Sequence, residues 1–308
     1  MAIKEGSTLG FIGLGAMGAP MARRLISHGY ALVVHDINPG AAQSLVEAGA
    51  TAVSSALEVA NAAETVFVSL PNLETTREVA LGKSGLASGS KIKLYIDLST
   101  TGSRVAKEVS AALAQRNIVA LDAPVTGGIA GAIKGTLTVM VSGPKHAFDN
   151  VVDVFKPIGT KTYFVGEGAG QAQIAKLINN LLSATALAVT SEAFVLGAKA
   201  GLDPDILLGI INDGTGRNTA TADKFPKSVL PRKFDFYSRL EILYKDVSLC
   251  MEEADRLKVP MWIGSTVKQA WGYAMSQGGA KDDQTSIIRH FEKWVGVEVK
   301  GKACSECQ

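Results

Sequence analysis

Three segments of this sequence combine residue types and spacings that could do chemistry. The first is Gly13-Leu14-Gly15-Ala16-Met17-Gly18, a G-x-G-x-x-G pattern that follows an apolar run and opens an alanine-rich one. Glycines at these spacings permit a tight turn and let backbone N–H groups approach a pyrophosphate, while the start of a helix favours negative charge. Asp36 ends the next β-rich run, placed to accept adenosine ribose hydroxyls. Its charge would repel a 2′-phosphate, and Ile37 and Asn38 supply no arginine to hold one, so NAD is expected rather than NADP. Without a ligand, the same residues read as a glycine-rich turn and an aspartate that ends a strand.

The second segment runs Asp122-Ala123-Pro124-Val125-Thr126-Gly127-Gly128 and on to Leu137. A strand delivers the chain to a hydroxyl and two bare backbone amides, which can hold a carboxylate; an ordinary β-to-α turn has the same spacing. The third is Gly168-Ala169-Gly170-Gln171-Ala172-Gln173-Ile174-Ala175-Lys176-Leu177-Ile178-Asn179-Asn180. Lys176 and Asn180 stand four apart and share one helix face. By periodicity alone Lys176 reads as a snorkelling side chain, but the asparagines among Leu177, Ile178, Leu181 and Leu182 need partners if buried.

The elements that must position these residues change character partway along the chain. Apolar runs at 8–12, 31–35, 65–70, 93–97, 119–123, 137–141 and 162–165 read as buried strands of a mostly parallel sheet. Helical patterns fill the gaps, among them 16–27 and 41–47, each closed by a glycine. This alternation predicts an α/β, doubly wound fold of Rossmann type. After Val165 only helical periodicity remains, beginning with a stretch from about 170 to 200, roughly 45 Å at 1.5 Å per residue. Gly201 stops it; Asp203 and Pro204 start the next helix, and later ones are expected over 241–258 and 283–295. The expected organisation is a nucleotide-binding domain over 1–165 and an all-helical substrate and oligomerisation domain over 166–308, with the active site in the cleft between them. Ala169, Ala172, Ala175, Ala184, Ala186 and Ala188 would let the long helix pack closely on another, which suggests a homodimer or homotetramer.

Composition narrows the partners. In 308 residues, 31 basic and 29 acidic side chains leave a net charge of +2, too little for an electrostatic footprint on nucleic acid or anionic lipid. A small-molecule partner is expected. Three cysteines and four histidines offer neither a disulfide framework nor a metal site, and a cytoplasmic location fits. Cys304 and Cys307 form a C-x-x-C that reads as a frayed tail. Residues 9–22 imitate a signal-peptide core but are interrupted by four glycines, and the apolar stretch 177–195 carries Asn179, Asn180 and Glu192, so no membrane span is expected.

Taken together, the nucleotide fingerprint with Met17 and Met21, the Asp122-Ala123-Pro124-Val125 stretch and the lysine segment resemble the β-hydroxyacid dehydrogenase family, which includes 3-hydroxyisobutyrate dehydrogenase. The resemblance covers essentially the whole chain. It implies an NAD-dependent oxidoreductase that moves a hydride between the nicotinamide and a small anionic β-hydroxy acid or its semialdehyde or keto form. By position, Gly13, Leu14, Gly15, Met17, Gly18 and Asp36 would hold the nucleotide. Leu70, Pro71, Thr75 and Thr100 would line its nicotinamide side, and Lys245 with Asp246 would close the site from the helical domain. Thr126, standing for the usual serine, would hold the substrate carboxylate with Gly127 and Gly128; Asn180 would bind substrate and Lys176 would be the general acid and base. Burial and the positive nicotinamide ring would favour its neutral amine. One departure stands out: the family's phenylalanine seven residues before the lysine of the Lys-Asp pair is here Ser238. The alternatives are an imine reductase-like enzyme, against which Lys176 counts, and a non-catalytic dinucleotide-binding oligomerisation module.

Overall fold

The computed structural model describes residues 3–302; Cys304 and Cys307 lie outside them. Among the described residues nine strands form one sheet: β1 (Thr8–Ile12), β2 (Ala31–His35), β3 (Thr51–Ala52), β4 (Thr65–Val68), β5 (Leu94–Asp97), β6 (Val119–Asp122), β7 (Val125–Thr126), β8 (Leu137–Ser142) and β9 (Gly159–Gly166). The order is β3-β2-β1-β4-β5-β6-β8-β7, with β9 paired to β8. From β3 through β6 every pairing is parallel; β8 runs antiparallel to β6 and β7 and parallel to β9. The first six strands thus have the doubly wound order 3-2-1-4-5-6, whose reversal point lies between β1 and β4.

Helices α1 (Gly18–Ser27), α2 (Gln43–Val46), α3 (Ala56–Ala62), α4 (Leu73–Leu81), α5 (Gly102–Ala114), α6 (Gly128–Lys134) and α7 (Lys145–Val151) connect the strands. Side chains alternate across a strand, so a parallel sheet covered on both faces needs apolar residues at successive positions. Phe11, Phe67 and Ile96 accordingly enter one core cluster with Met21 and Leu25 of α1, while Ile12, Val66, Val68 and Tyr95 enter the other with Val59 of α3 and Val105 and Val109 of α5. Phe67 stacks on Phe11 at 6.2 Å and meets Phe155 edge-on at 6.1 Å.

Beyond the sheet lie α8 (Gln171–Lys199), α9 (Pro204–Asp213), a π-helical segment (Ala220–Val229), α10 (Leu240–Arg256), α11 (Trp262–Ser276) and α12 (Ile287–Val295). Among described residues after α8 no strand occurs, and a single isolated bridge joins Arg239 to Asp283. The fold class is therefore α/β, a Rossmann-type sheet followed by an all-helical region. The chain divides into two compact units, Met1–Lys176 and Leu177–Gln308, so the division falls inside α8.

Several elements differ from the sequence expectation. β3 and β7 are two residues each, too short to carry a hydrophobic pattern. The helix expected over 41–47 splits into a 3₁₀ turn at Pro39–Ala42 and the four-residue α2. α11 carries no start signal, because Met261 before it makes no side-chain cap. No membrane span is expected from the sequence, yet α8 is long and apolar enough for one by length and composition alone. The same composition serves a core helix, and Leu177, Leu181, Ala184, Leu187 and Phe194 are buried in the core of the second unit with Trp271.

Phe67 is fully buried between two aromatic neighbours, so Phe67→Ala should cost about 3–5 kcal/mol. Urea denaturation monitored by circular dichroism checks this, and a loss below about 1 kcal/mol would show that the aromatic stack is not central to the core.

Candidate active site

The glycine turn sits where β1 and β4 lie side by side and their connections run in opposite directions. Gly13 has φ +88°, and a Cβ on Gly18 would lie 1.9 Å from the Gly13 carbonyl oxygen, an approach that only glycine permits. Gly15 is exposed with nothing within 4 Å of where a Cβ would stand, which leaves the space a pyrophosphate needs. Asp36 is tied to this turn: its Oδ2 accepts the Leu14 N–H at 2.6 Å and its Oδ1 the Asn38 N–H at 2.8 Å. Met17 is half-buried at the start of α1.

The parallel register brings the ends of β4 and β5 to the same edge of the sheet. The Leu70 N–H donates to Ser99 Oγ at 2.8 Å, and Asn72 caps α4 by accepting the Thr75 N–H at 2.8 Å. Pro71 is exposed; Thr75 and Thr100 are half-buried. The turn, Asp36 and these two loops together fit a dinucleotide: an open glycine face for its phosphates, a carboxylate for a ribose, and a partly apolar wall for a ring.

The next loops of the edge hold the start of α8. Asp122 ends β6 and accepts the Gly170 N–H; Ser142 donates its hydroxyl to Asp122 Oδ2 at 2.8 Å and accepts the Ala172 N–H at 2.9 Å. Gln173, fully buried, donates to the Ser99 carbonyl at 3.0 Å, and its Oε1 accepts the Thr101 N–H at 2.9 Å and the Gly102 N–H at 3.3 Å. Lys176, one turn further on, is 8% exposed. Thr126, at the end of β7, is half-buried, and Gly127 and Gly128 follow with φ +128° and +65°, a pair of backbone conformations that side chains disfavour.

Two carboxyl groups under this edge are held above their ordinary range. Burial raises Asp97 to about 6, with the charge of Asp122 adding to it and hydrogen bonds from Ser99 and Thr101 opposing it. Burial also raises Asp122, opposed by the Gly170 N–H and the Ser142 hydroxyl. Gln173, Ser142 and Asp97 escape sequence reasoning because their partners are distant in sequence. The local signal for Gln173 is only a glutamine three residues before the lysine.

In the second unit, Asn180 Nδ2 donates to Asp246 Oδ2 at 2.6 Å, and Lys245 Nζ pairs with Asp246 Oδ1 at 3.0 Å. Three residues expected at the site thus form one chain of polar contacts. Ser238 is held by its backbone, its N–H donating to Asp283 Oδ2 at 3.2 Å and its carbonyl accepting the Gln284 N–H at 2.7 Å. Tyr237 is 75% exposed, and Arg239 is paired with Glu241 at 3.0 Å. A lysine that sequence reasoning did not single out, Lys224, is buried on the π-helical segment with its Nζ 3.0 Å from Ser183 Oγ.

A fold of this kind carrying this edge fits a dinucleotide-binding protein, and comparison with known proteins gives the class. Residues 8–166 match the family model described as the NAD binding domain of 6-phosphogluconate dehydrogenase, and residues 170–291 the one described as NAD-binding of NADP-dependent 3-hydroxyisobutyrate dehydrogenase. The chain is 34% identical over 295 residues to 2-(hydroxymethyl)glutarate dehydrogenase of Eubacterium barkeri, covering 95% of this chain and 97% of that one. It is 34% identical over 292 residues to the mitochondrial 3-hydroxyisobutyrate dehydrogenase of Rattus norvegicus, covering 92% and 87%. The solved Mycobacterium tuberculosis 3-hydroxyisobutyrate dehydrogenase with L-serine superposes with a TM-score of 0.84 at 30% identity, covering 93% of this chain and 99% of that one. The chain belongs to the β-hydroxyacid dehydrogenase family. It is an NAD(P)-dependent oxidoreductase acting on CH–OH groups.

The raised Asp97 makes a prediction about pH. An unfolded aspartate titrates near 3.9, so between about pH 4 and 6 the folded state binds more protons than the unfolded state, and stability falls as pH rises through that window. Asp97→Asn cannot titrate. Its stability relative to wild type should rise by on the order of 3 kcal/mol from pH 4 to above pH 6. Urea midpoints measured across that range check the sign, and a difference that is flat or falls with pH contradicts it.

Proposed function

We propose that this protein transfers a hydride between NAD and a small anionic β-hydroxy acid, with Lys176 as the general acid and base. The observation that carries the reading is the seating of Lys176: its helix turn is tied by Asp122, Ser142 and Gln173 to loops on the same sheet edge as the glycine turn and Asp36. A buried lysine held by that many contacts one turn away has a defined position rather than a snorkelling one.

When bound, the nicotinamide accepts or returns the hydride. In the oxidising direction the Lys176 amine takes the hydroxyl proton, and in reduction its ammonium returns a proton to the aldehyde or ketone oxygen. The Thr126 hydroxyl with the Gly127 and Gly128 N–H groups holds the substrate carboxylate, so that the hydroxyl carbon presents one face to the ring. Asn180, oriented by Asp246, hydrogen-bonds the substrate beside the lysine. The names of the relatives, a (hydroxymethyl)glutarate and a hydroxyisobutyrate dehydrogenase, support a small hydroxy acid as substrate class. NAD is preferred because Asp36 faces the ribose position with a negative charge and no arginine follows it. Exposed Leu182, Val189 and Leu196 on α8 and Ile206 and Ile210 on α9 support a homo-oligomer.

Two substitutions test this reading. Lys176→Ala should lower turnover by roughly 10²–10⁴-fold while leaving NAD binding nearly intact, measured by reduced-nicotinamide absorbance and by titration of the dinucleotide; turnover near wild type removes the lysine from the chemistry. Asp36→Ala should narrow the ratio of specificity constants for NAD over NADP, each tenfold corresponding to about 1.4 kcal/mol. A wild type that prefers NADP contradicts the Asp36 argument.

A further inference from the structure

Lys224 is 5% exposed, on a π-helical segment, and among the described residues no carboxylate pairs with it. Its neighbour Asp223 is engaged by Lys227 instead. The polar contact of Lys224 is the Ser183 hydroxyl at 3.0 Å, and its ammonium stands 5.7 Å from the centre of the Phe236 ring. An ammonium has three donors, and one hydroxyl with the face of a ring satisfies only part of that capacity. Buried cations are ordinarily paired or hydrogen-bonded on every side, because desolvation is costly. Burial lowers the affinity of this lysine for its proton, the direction expected of a cation that lacks an anion.

The position of Ser183 bears on which anion Lys224 could take. Asn180 and Ser183 are three residues apart on α8, and Lys176 is four residues before Asn180, so all three share one helix face. From Lys176 to Ser183 the axis advances about 10 Å, the reach of two side chains and a short dicarboxylate. We propose that Lys224 is a specificity-determining residue that binds a second carboxylate on the substrate, so that the enzyme acts on doubly anionic β-hydroxy acids. This rests on the reading of Lys176 and Asn180 given above. Ser183 ties the ammonium to α8, and the Phe236 ring stands beside it.

The test compares 2-(hydroxymethyl)succinate with 2-(hydroxymethyl)butanoate, which share a carbon skeleton and differ by a carboxylate in place of a methyl group. Wild type should have the larger specificity constant for the diacid. Lys224→Met should lower the diacid-to-monoacid ratio roughly 10- to 100-fold, mainly through KM for the diacid, and Lys224→Arg should keep most of it. If Lys224→Met does not fold, Ser183→Ala should still lower the ratio by a smaller factor, and wild type alone must show the diacid preference. Turnover of both acids with a ratio that neither variant moves, or a wild type indifferent to the second carboxylate, overturns the assignment of Lys224 while leaving the proposed reaction standing. Nicotinamide binding without turnover of any β-hydroxy acid overturns both.

Discussion

The seating of the first turn of α8 on the carboxyl edge of the sheet is the constraint on which the geometry of that edge depends. A helix begins with N–H groups that have no partner within it, and these must be satisfied where the turn is buried. Here the Gly170 N–H is met by Asp122 and the Ala172 N–H by Ser142, itself held by Asp122. A carboxylate at this end of a long helix also meets the favourable end of its dipole. Gln173 then fixes rotation about the helix axis, since its amide reaches the backbone of Ser99 at one atom and of Thr101 and Gly102 at the other. With rotation and height both fixed, Lys176 has little freedom left in where its side chain begins. The desolvation of Asp97 and Asp122 is the cost of that precision, visible in the upward direction of both carboxyl groups.

What could be read from the sequence follows from how local each cause is. The glycine turn, Asp36 and the strands β1, β2 and β8 were legible because their signals lie within a few residues: a glycine that no side chain can replace, an acid after a β-branched run, and unbroken apolar stretches. The Asp203 cap and Pro204 start were legible for the same reason, and the cap forms with Asp203 Oδ1 accepting the Asp205 and Ile206 N–H groups. The contacts of Gln173 span more than seventy residues of sequence, and that of Lys224 spans forty-one, so no spacing rule could reveal them. The segment Ala220–Val229 illustrates a further limit. It contains Pro226, ordinarily a sign that a helix has ended, yet the wider π geometry accommodates it.

Charge is handled differently in the two units. In the first, buried carboxyl groups are satisfied by backbone N–H and hydroxyl donors. In the second, Asp246 meets Lys245 and the amide of Asn180, and the buried Arg232 pairs with Glu292 at 2.6 Å. Each of these charges has its opposite nearby, as the cost of an uncompensated buried charge requires. Lys224 departs from that pattern, and the departure is local, since the neighbouring Asp223 and Lys227 pair with each other.

The same region changes the meaning of Ser238. By resemblance to the family, a serine where a phenylalanine is usual suggests lost volume. The structure places the backbone of Ser238 against Asp283 and Gln284, which fixes the chain there independently of the side chain. An aromatic ring is still present two residues earlier: Phe236 is half-buried and lies beside the ammonium of Lys224, whereas Tyr237 turns out to solvent. The aromatic ring nearest Ser238 that is not turned to solvent thus stands beside a buried cation. An aromatic face next to an ammonium limits the directions from which an anion can approach it. On the proposed role of Lys224, Phe236 and Lys224 act together, the ring limiting the approach and the ammonium supplying the charge.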